Sequence, residues 1–227
     1  MSELTTTLYD LAVIGAGPGG YEAALEAAKL GLRTALIEKD SLGGTCLNRG
    51  CIPTKTLLHS AELYADICDA ARFGISADHV QADLGGIQEH KQATIETLQK
   101  GIAGLLKAAK VTVYQGLGTV IDTGDSHEER IKEIQITSDK AESGTIKTRQ
   151  ILLASGSVPS IPPIPGHDLP GVMTSDELLS WNQKPFSSLL IIGGGVIGVE
   201  FAGIWQTLGT KVTILEALPS LIANMDK

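Results

Sequence analysis

Aromatic side chains are scarce in this chain, at 4% of 227 residues. That disfavours an aromatic-rich β-sandwich, and the 26 glycines suit an α/β protein built on tight turns. Positive charge is also short. Lys and Arg number 18 against 26 acidic residues, a net charge of −8, with no basic cluster. Nucleic-acid binding needs a positive footprint, so none is expected. Long apolar runs are missing too. The most apolar, Leu189 to Val199, is broken by four glycines and followed by Glu200. It is too short to span a bilayer. The opening MSELTTTLYD has neither the basic nor the apolar part of a secretory signal. A soluble cytoplasmic protein without a membrane anchor is expected. Cysteine is limited to three residues, an odd count, so at least one stays outside any pairing.

What is present centres on GGTCLNRGCIPTK, residues 43–55, which holds Cys46 and Cys51 between glycines. Pro53 reads as the opening of a helix, where proline forfeits no useful donor. Cys51 then lies just before a helix N-terminus, whose partial positive charge favours a thiolate. A pair cycling between disulfide and dithiol suits that setting. A structural disulfide does not fit a chain with no other sign of an oxidising compartment. A zinc site lacks its third and fourth ligands, so no metal is expected. Two buried, inert cysteines are the remaining reading.

Upstream, Leu11 to Ile14 reads as a buried parallel strand that feeds GAGPGG, residues 15–20, a G-x-G-x-x-G. A helix over 21–30 follows, stopped by Gly31, and then a strand over 34–37 ending at Glu38. Gly15 allows the tight turn, Gly17 lets a pyrophosphate approach, and Gly20 lets helix and strand pack closely. The helix N-terminus meets the phosphate charge, and Glu38 can accept from ribose hydroxyls. In its strand–turn–helix–strand–acid context, the motif is a nucleotide-binding unit.

The pattern returns downstream. A buried strand over 189–192 leads into GGGVIG, residues 193–198, then a helix over 199–208, a strand over 211–215 and Glu216. Gly15 to Glu38 and Gly193 to Glu216 are both 23 positions. Glu216 would accept from a ribose 2′-OH and repel a 2′-phosphate, which favours NAD over NADP.

Between these units, residues 53–70 read as a helix with Leu57, Ala61, Tyr64 and Cys68 on its buried face. Cys68 is expected to be a small core residue. Lys55 lies in that helix's first turn, where the dipole disfavours a cation, so it is expected to have a partner elsewhere. A second helix over 87–110 repeats Ile95, Leu98, Ile102, Leu105 and Ala109, a face for core packing or for a partner chain. A glycine-interrupted strand is expected over 111–121, a turn over 122–130, and antiparallel strands over 131–137 and 145–148. A buried strand over 151–154 should end at the small-residue turn Ser155, Gly156, Ser157. Most of the nine prolines fall in 158–187, read as an extended domain crossing, with a turn or two of helix over 175–181.

The stretch GGTCxxxxCxPxK between two such units resembles the flavoprotein disulfide reductases of the pyridine nucleotide-disulfide oxidoreductase family. Leu47, Asn48, Ile52, Thr54 and the acid at 216 are most similar to the dihydrolipoamide dehydrogenase branch. Glutathione and mercuric reductases share the cysteine loop but commonly carry Val in place of Ile52 and prefer NADP. The resemblance implies an α/β fold. A Rossmann-like FAD-binding domain with an antiparallel meander would fill 1–157. A linker and the start of a second, Rossmann-like NAD-binding domain would fill 158–227.

It implies that FAD is held by Gly15, Gly17, Gly20, Glu38 and Lys39, with Gly44, Thr45, Lys55, Gly118, Ser155 and Gly156. Ser155 stands where the family more often has Thr. Gly193, Gly195, Gly198 and Glu216 would hold NAD. Cys51 would face the flavin as the charge-transfer thiolate, Cys46 would be the exposed exchange thiol, and Lys55 would pair with Glu200 beside the flavin. The implied reaction oxidises dihydrolipoyl groups with NAD. The implied partners are a lipoyl-bearing acyltransferase or a glycine-cleavage carrier protein, with a homodimer for the full-length family.

The resemblance places the rest of the NAD domain, the interface domain and the His–Glu general base beyond Lys227. None of His59, His79, His90, His127 or His167 stands in the context of that base. An exchange thiol without its base is typically slower by roughly 10²–10⁴-fold, so negligible activity is expected of this chain alone. The alternatives are another disulfide reductase of the family and a non-catalytic FAD-binding module.

Overall fold

The computed structural model describes residues 3–122, 131–139, 143–223 and 225. In chain order, β1 (Glu3–Ile14), α1 (Pro18–Lys29) and β2 (Thr34–Glu38) lead to two helices in succession, α2 (Gly44–Arg49) and α3 (Cys51–Cys68). A 3₁₀ turn over Ala70–Phe73 and an irregular stretch precede the long α4 (Leu84–Ala108). Then come β3 (Thr112–Gln115), β4 (Leu117–Asp122), β5 (Lys132–Thr137) and β6 (Gly144–Leu153). After the proline-rich stretch stand α5 (Ser175–Leu179), β7 (Ser188–Ile192), α6 (Val196–Thr207) and β8 (Lys211–Leu215).

By packing, the described chain forms two compact units: Met1–Asn48 with Glu96–Val158, and Arg49–Ile95 with Pro159–Lys227. The first holds a six-stranded sheet in the order β3-β2-β1-β6-β5-β4. Strands β3, β2, β1 and β6 run parallel, and β6, β5 and β4 form an antiparallel meander. Its core is Tyr9, Ala12, Ala35, Ile37, Ile134, Ile136 and Ile146. The Tyr9 and Tyr114 hydroxyls share a hydrogen bond of 2.8 Å. Helix α1 buries Gly20, Ala24, Leu25 and Ala27, a small-residue face that lets it lie close to the sheet.

The second unit packs α3 on α6 and pairs β7 with β8 in parallel. Leu57, Leu178, Leu179, Phe201, Ile204 and Trp205 form its core. Helix α4 presents Gln88 and Lys91 to this unit. Gln88 Nε2 donates to the Leu179 and Trp181 carbonyls at 3.2 and 2.9 Å, and Lys91 Nζ donates to the Leu179 carbonyl at 3.1 Å. These bonds satisfy carbonyls at the end of α5 that the helix cannot satisfy itself. Burial lowers the pKa of Lys91.

Several sequence expectations are corrected. The strand expected over 111–121 is two strands, because Gly116 takes φ +156 and separates β3 from β4. The strands expected over 145–148 and 151–154 are one, β6, which serves both the meander and the parallel sheet. Its last residues are not buried: Leu153 is 71% exposed. Cys68 is exposed, not core, since beyond Ala61 helix α3 buries no side chain. On α4, Ile95, Ile102 and Leu106 are buried while Leu98 and Leu105 face solvent. The buried stripe continues the line of Leu84, Gln88 and Lys91, so polar residues shift it from the purely apolar pattern. Strand β7 is half exposed, with Leu190 at 59%. The turn expected over 122–130 falls outside the described residues apart from Asp122. Among the described residues no helix is long and apolar enough to cross a membrane.

Candidate functional site

The first unit builds its site around the turn after β1. Gly15 takes φ +101 and its N–H donates to the Ile37 carbonyl at 2.8 Å, which fixes the turn to β2. A side chain at Gly15 would overlap the Ala154 carbonyl at the end of β6, and one at Gly20 would overlap the Gly15 carbonyl. Glu38 is buried at 8% exposure, and its Oε2 accepts from Ala16 N–H at 2.6 Å while Oε1 accepts from Asp40 N–H at 2.8 Å. The chain then folds back. Gly43 N–H donates to the Ala16 carbonyl at 2.8 Å, and a side chain at Gly44 would overlap Gly17.

Helix α2, which carries Cys46, therefore begins on the glycine turn. Asn48 holds its start: Nδ2 donates to the Leu42 and Gly44 carbonyls at 3.1 and 2.9 Å, and Oδ1 accepts from Gln99 Nε2 at 2.6 Å. Sequence reasoning used Asn48 only as a family marker. An Asn amid turn residues was the available signal for this bracing role. Tyr21, on α1, has its pKa raised by burial, then by the Glu22 carboxylate and by Cys46. Gly118 packs on Ile37 and Ile14, whereas Lys39, Thr45, Ser155 and Gly156 are exposed.

The cysteines lie in two helices, not in a loop. Cys46 is in α2 and is half-buried, and Cys51 is the first residue of α3 and is exposed. Helix α3 starts two residues earlier than expected because Gly50 serves as its N-cap, so Pro53 falls within the first turn and Lys55 beyond it. The structure records all three cysteines as thiols. In the second unit, Lys55 Nζ donates to Glu200 Oε1 of α6, an ion pair joining α3 to α6. Thr54 is buried beside it in sequence.

The second glycine turn repeats the first. Gly193 takes φ +112 and donates to the Leu215 carbonyl at 2.9 Å. Gly195 is the N-cap of α6, as Gly17 is of α1, and a side chain at Gly198 would overlap the Gly193 carbonyl. Glu216 Oε2 accepts from Gly194 N–H at 2.6 Å and Oε1 from Leu218 N–H at 2.8 Å. The N–H groups of Leu218 and Gly194 hold its carboxyl below the ordinary value. An open cavity of about 380 Å³ is lined by Gly194, Gly195, Glu216, Leu218, Ser220 and Ala223. Both turns thus offer backbone N–H groups at a helix N-terminus, with an acid at the neighbouring strand end.

Comparison with known proteins agrees. The model of the family "Pyridine nucleotide-disulphide oxidoreductase" matches residues 9–227. The dihydrolipoyl dehydrogenase of Bacillus subtilis is 38% identical over 97% of this chain and 46% of its own length. That of Acholeplasma laidlawii is 39% identical over 96% of this chain and 62% of its own length. The HOCl-induced flavoprotein disulfide reductase of Escherichia coli superposes with a TM-score of 0.78 at 31% identity, over 96% of this chain and 44% of that one. The chain spans about half the length of most of the relatives it matches.

Proposed function

The chain belongs to the pyridine nucleotide-disulphide oxidoreductase family, and on that footing we propose that it is the FAD- and dithiol-bearing part of a dihydrolipoyl dehydrogenase. The observation that carries the proposal is the backbone contact of Gly43 and Gly44 with Ala16 and Gly17. It starts the Cys46 helix on the phosphate turn, so the exchange thiol and a flavin nucleotide would share one scaffold. Dihydrolipoyl dehydrogenases of several bacteria, similar at 38–41% identity, support the substrate class.

In this reading residues 1–157 form the FAD domain and 158–227 the linker and first part of the NAD domain. The glycine cradle fits a dinucleotide, because side chains at Gly15 and Gly20 would fill the space the backbone needs. Gly15, Gly17, Gly20 and Glu38 would hold FAD, and Gly193, Gly195, Gly198 and Glu216 would hold NAD. No Lys or Arg lies between Glu216 and Met225 to receive a 2′-phosphate, which favours NAD. When bound, FAD supplies a two-electron acceptor and NAD the final hydride acceptor.

The chain's own residues handle the thiol exchange. One substrate thiolate attacks Sγ of Cys46 in the Cys46–Cys51 disulfide and releases Cys51 as a thiolate. The second substrate thiolate attacks the mixed disulfide at the substrate sulfur and releases Cys46. The substrate leaves as a cyclic disulfide, two electrons reside on the cysteine pair, and two protons are given up. Lys55, held by Glu200, would keep a positive charge near Cys51, one turn away along α3. A lipoyl-bearing acyltransferase or carrier protein is the partner this substrate implies, and a homodimer is the assembly that the family implies.

The test is the visible spectrum of the chain purified with FAD, before and after two-electron reduction by dihydrolipoamide. A yellow protein that gains long-wavelength absorption on reduction, lost in Cys51→Ser, is expected. A chain that holds FAD without that change would reduce the proposal to a flavin-binding module, and a chain that holds none would overturn it.

A further inference from the structure

The segment after Glu216 does not leave the second glycine turn. Leu218 N–H is on Glu216, and Ile222 N–H donates to the Gly194 carbonyl at 2.8 Å. Leu221 lies so close that its Cδ2 fills the space a side chain at Gly194 would need. Leu218, Ser220 and Ala223 form one wall of the cavity whose other wall is Gly194, Gly195 and Glu216. Ile222 makes this crossing at φ +50, a left-handed conformation that is rare for a β-branched residue. Such strain persists only where the surroundings over-determine it, and it clusters at ligand clamps.

We propose that residues 218–223 form a strap that presets the second turn for the diphosphate of a dinucleotide, with Ile222 as the positioning residue. The inference rests on the reading of this turn as an NAD site. Its reasoning is local. Gly194 N–H is held by Glu216 and Gly194 C=O by Ile222, so the peptides on both sides of Gly194 are fixed before a ligand arrives. The next residue, Gly195, caps α6, where a diphosphate would meet free N–H groups. A fixed Gly194 therefore fixes the aim of those groups and removes an ordering cost from binding. The first unit carries the same tether, Gly43 N–H to the Ala16 carbonyl, with a glycine at φ +97 in the place of Ile222. A contact built twice on different residues belongs to the turn's architecture.

The test uses ADP as the probe and amide hydrogen exchange as the readout, because peptides over 193–198 report this turn separately from 15–20. Ile222→Pro removes the donor and cannot adopt a positive φ. Ile222→Gly keeps both donor and conformation. ADP is expected to protect 193–198 in the unsubstituted chain. Ile222→Pro should need about tenfold more ADP for the same protection, and Ile222→Gly about the same amount as the parent. Equal ADP dependence in the parent and Ile222→Pro would overturn the strap and leave the NAD site standing. No protection of 193–198 in the parent would overturn both. Should Ile222→Pro fail to fold, Leu221→Ala removes the cover on Gly194 and keeps the tether. It should need about threefold more ADP, and an unchanged requirement overturns the strap.

Discussion

In the first glycine-turn unit, the strand after the helix is buried along its whole length, from Thr34 to Glu38. In the second, the corresponding strand, Lys211–Leu215, alternates between exposed and half-buried. The hydrogen bonds of the two turns nevertheless correspond one to one. In each, the first glycine donates to the neighbouring strand, the next residue donates to the acid, and its carbonyl receives an N–H from the chain beyond the acid. The turn is therefore written locally, in about thirty residues of chain. The wall around it is not. Ala154, just past β6, sets its carbonyl against Gly15, whereas among the described residues nothing lies within 4 Å of a side chain placed at Gly193. Among the described residues β7 and β8 have no third strand.

Paired alanine substitutions probe that difference most strongly. Gly15→Ala meets both an unfavourable positive φ and the Ala154 carbonyl, and should cost about 3 kcal/mol. Gly193→Ala meets the backbone strain alone, about 1 kcal/mol. Urea melts followed by circular dichroism would show the gap, and equal losses would mean that the wall adds nothing.

A smaller effect separates the two chain segments beyond the acids. The first is braced by the Asn48 side chain beside its Gly43 tether, and the second by Glu216 Oε1 on Leu218 N–H beside its Ile222 tether. Asn48→Ala should cost about 2 kcal/mol and raise amide exchange over 42–48 while leaving 216–223 unchanged. A parallel rise in both segments would show that the two are not independent.

The smallest effect is one of pH. Backbone N–H groups of Leu218 and Gly194 depress the Glu216 carboxyl below its ordinary 4.5 in the folded chain. A depressed folded value gives stability that is complete above 4.5 and is lost as pH falls through the folded value. The melting temperatures of the parent and Glu216→Gln should therefore differ at neutral pH and converge in acid. A difference that persists in acid would mean that the carboxylate's charge is not what locks this turn.

The sequence alone determined the two strand–glycine-turn–helix–strand units. Strand, glycine spacing, helix and acid are short-range features, and each glycine's role follows from a backbone that has no room for a Cβ. It also carried the cysteine stretch and the need of Lys55 for a partner. Glu200, 145 positions away, is that ion-pair partner in the structure. Tertiary structure decided the rest, because burial depends on what packs from elsewhere. The spacing of Cys68 fits a core face, yet among the described residues nothing covers the end of α3, and the residue is exposed. Leu98 and Leu105 keep a helical period, yet Gln88 and Lys91 are buried because α5 offers them carbonyls. Gly116 looks like a bulge within one strand, but its φ turns the chain into two. The backbone tethers from Gly43 and Ile222 were invisible in sequence for the same reason: any residue but proline supplies an N–H, and only the fold decides which carbonyl it reaches.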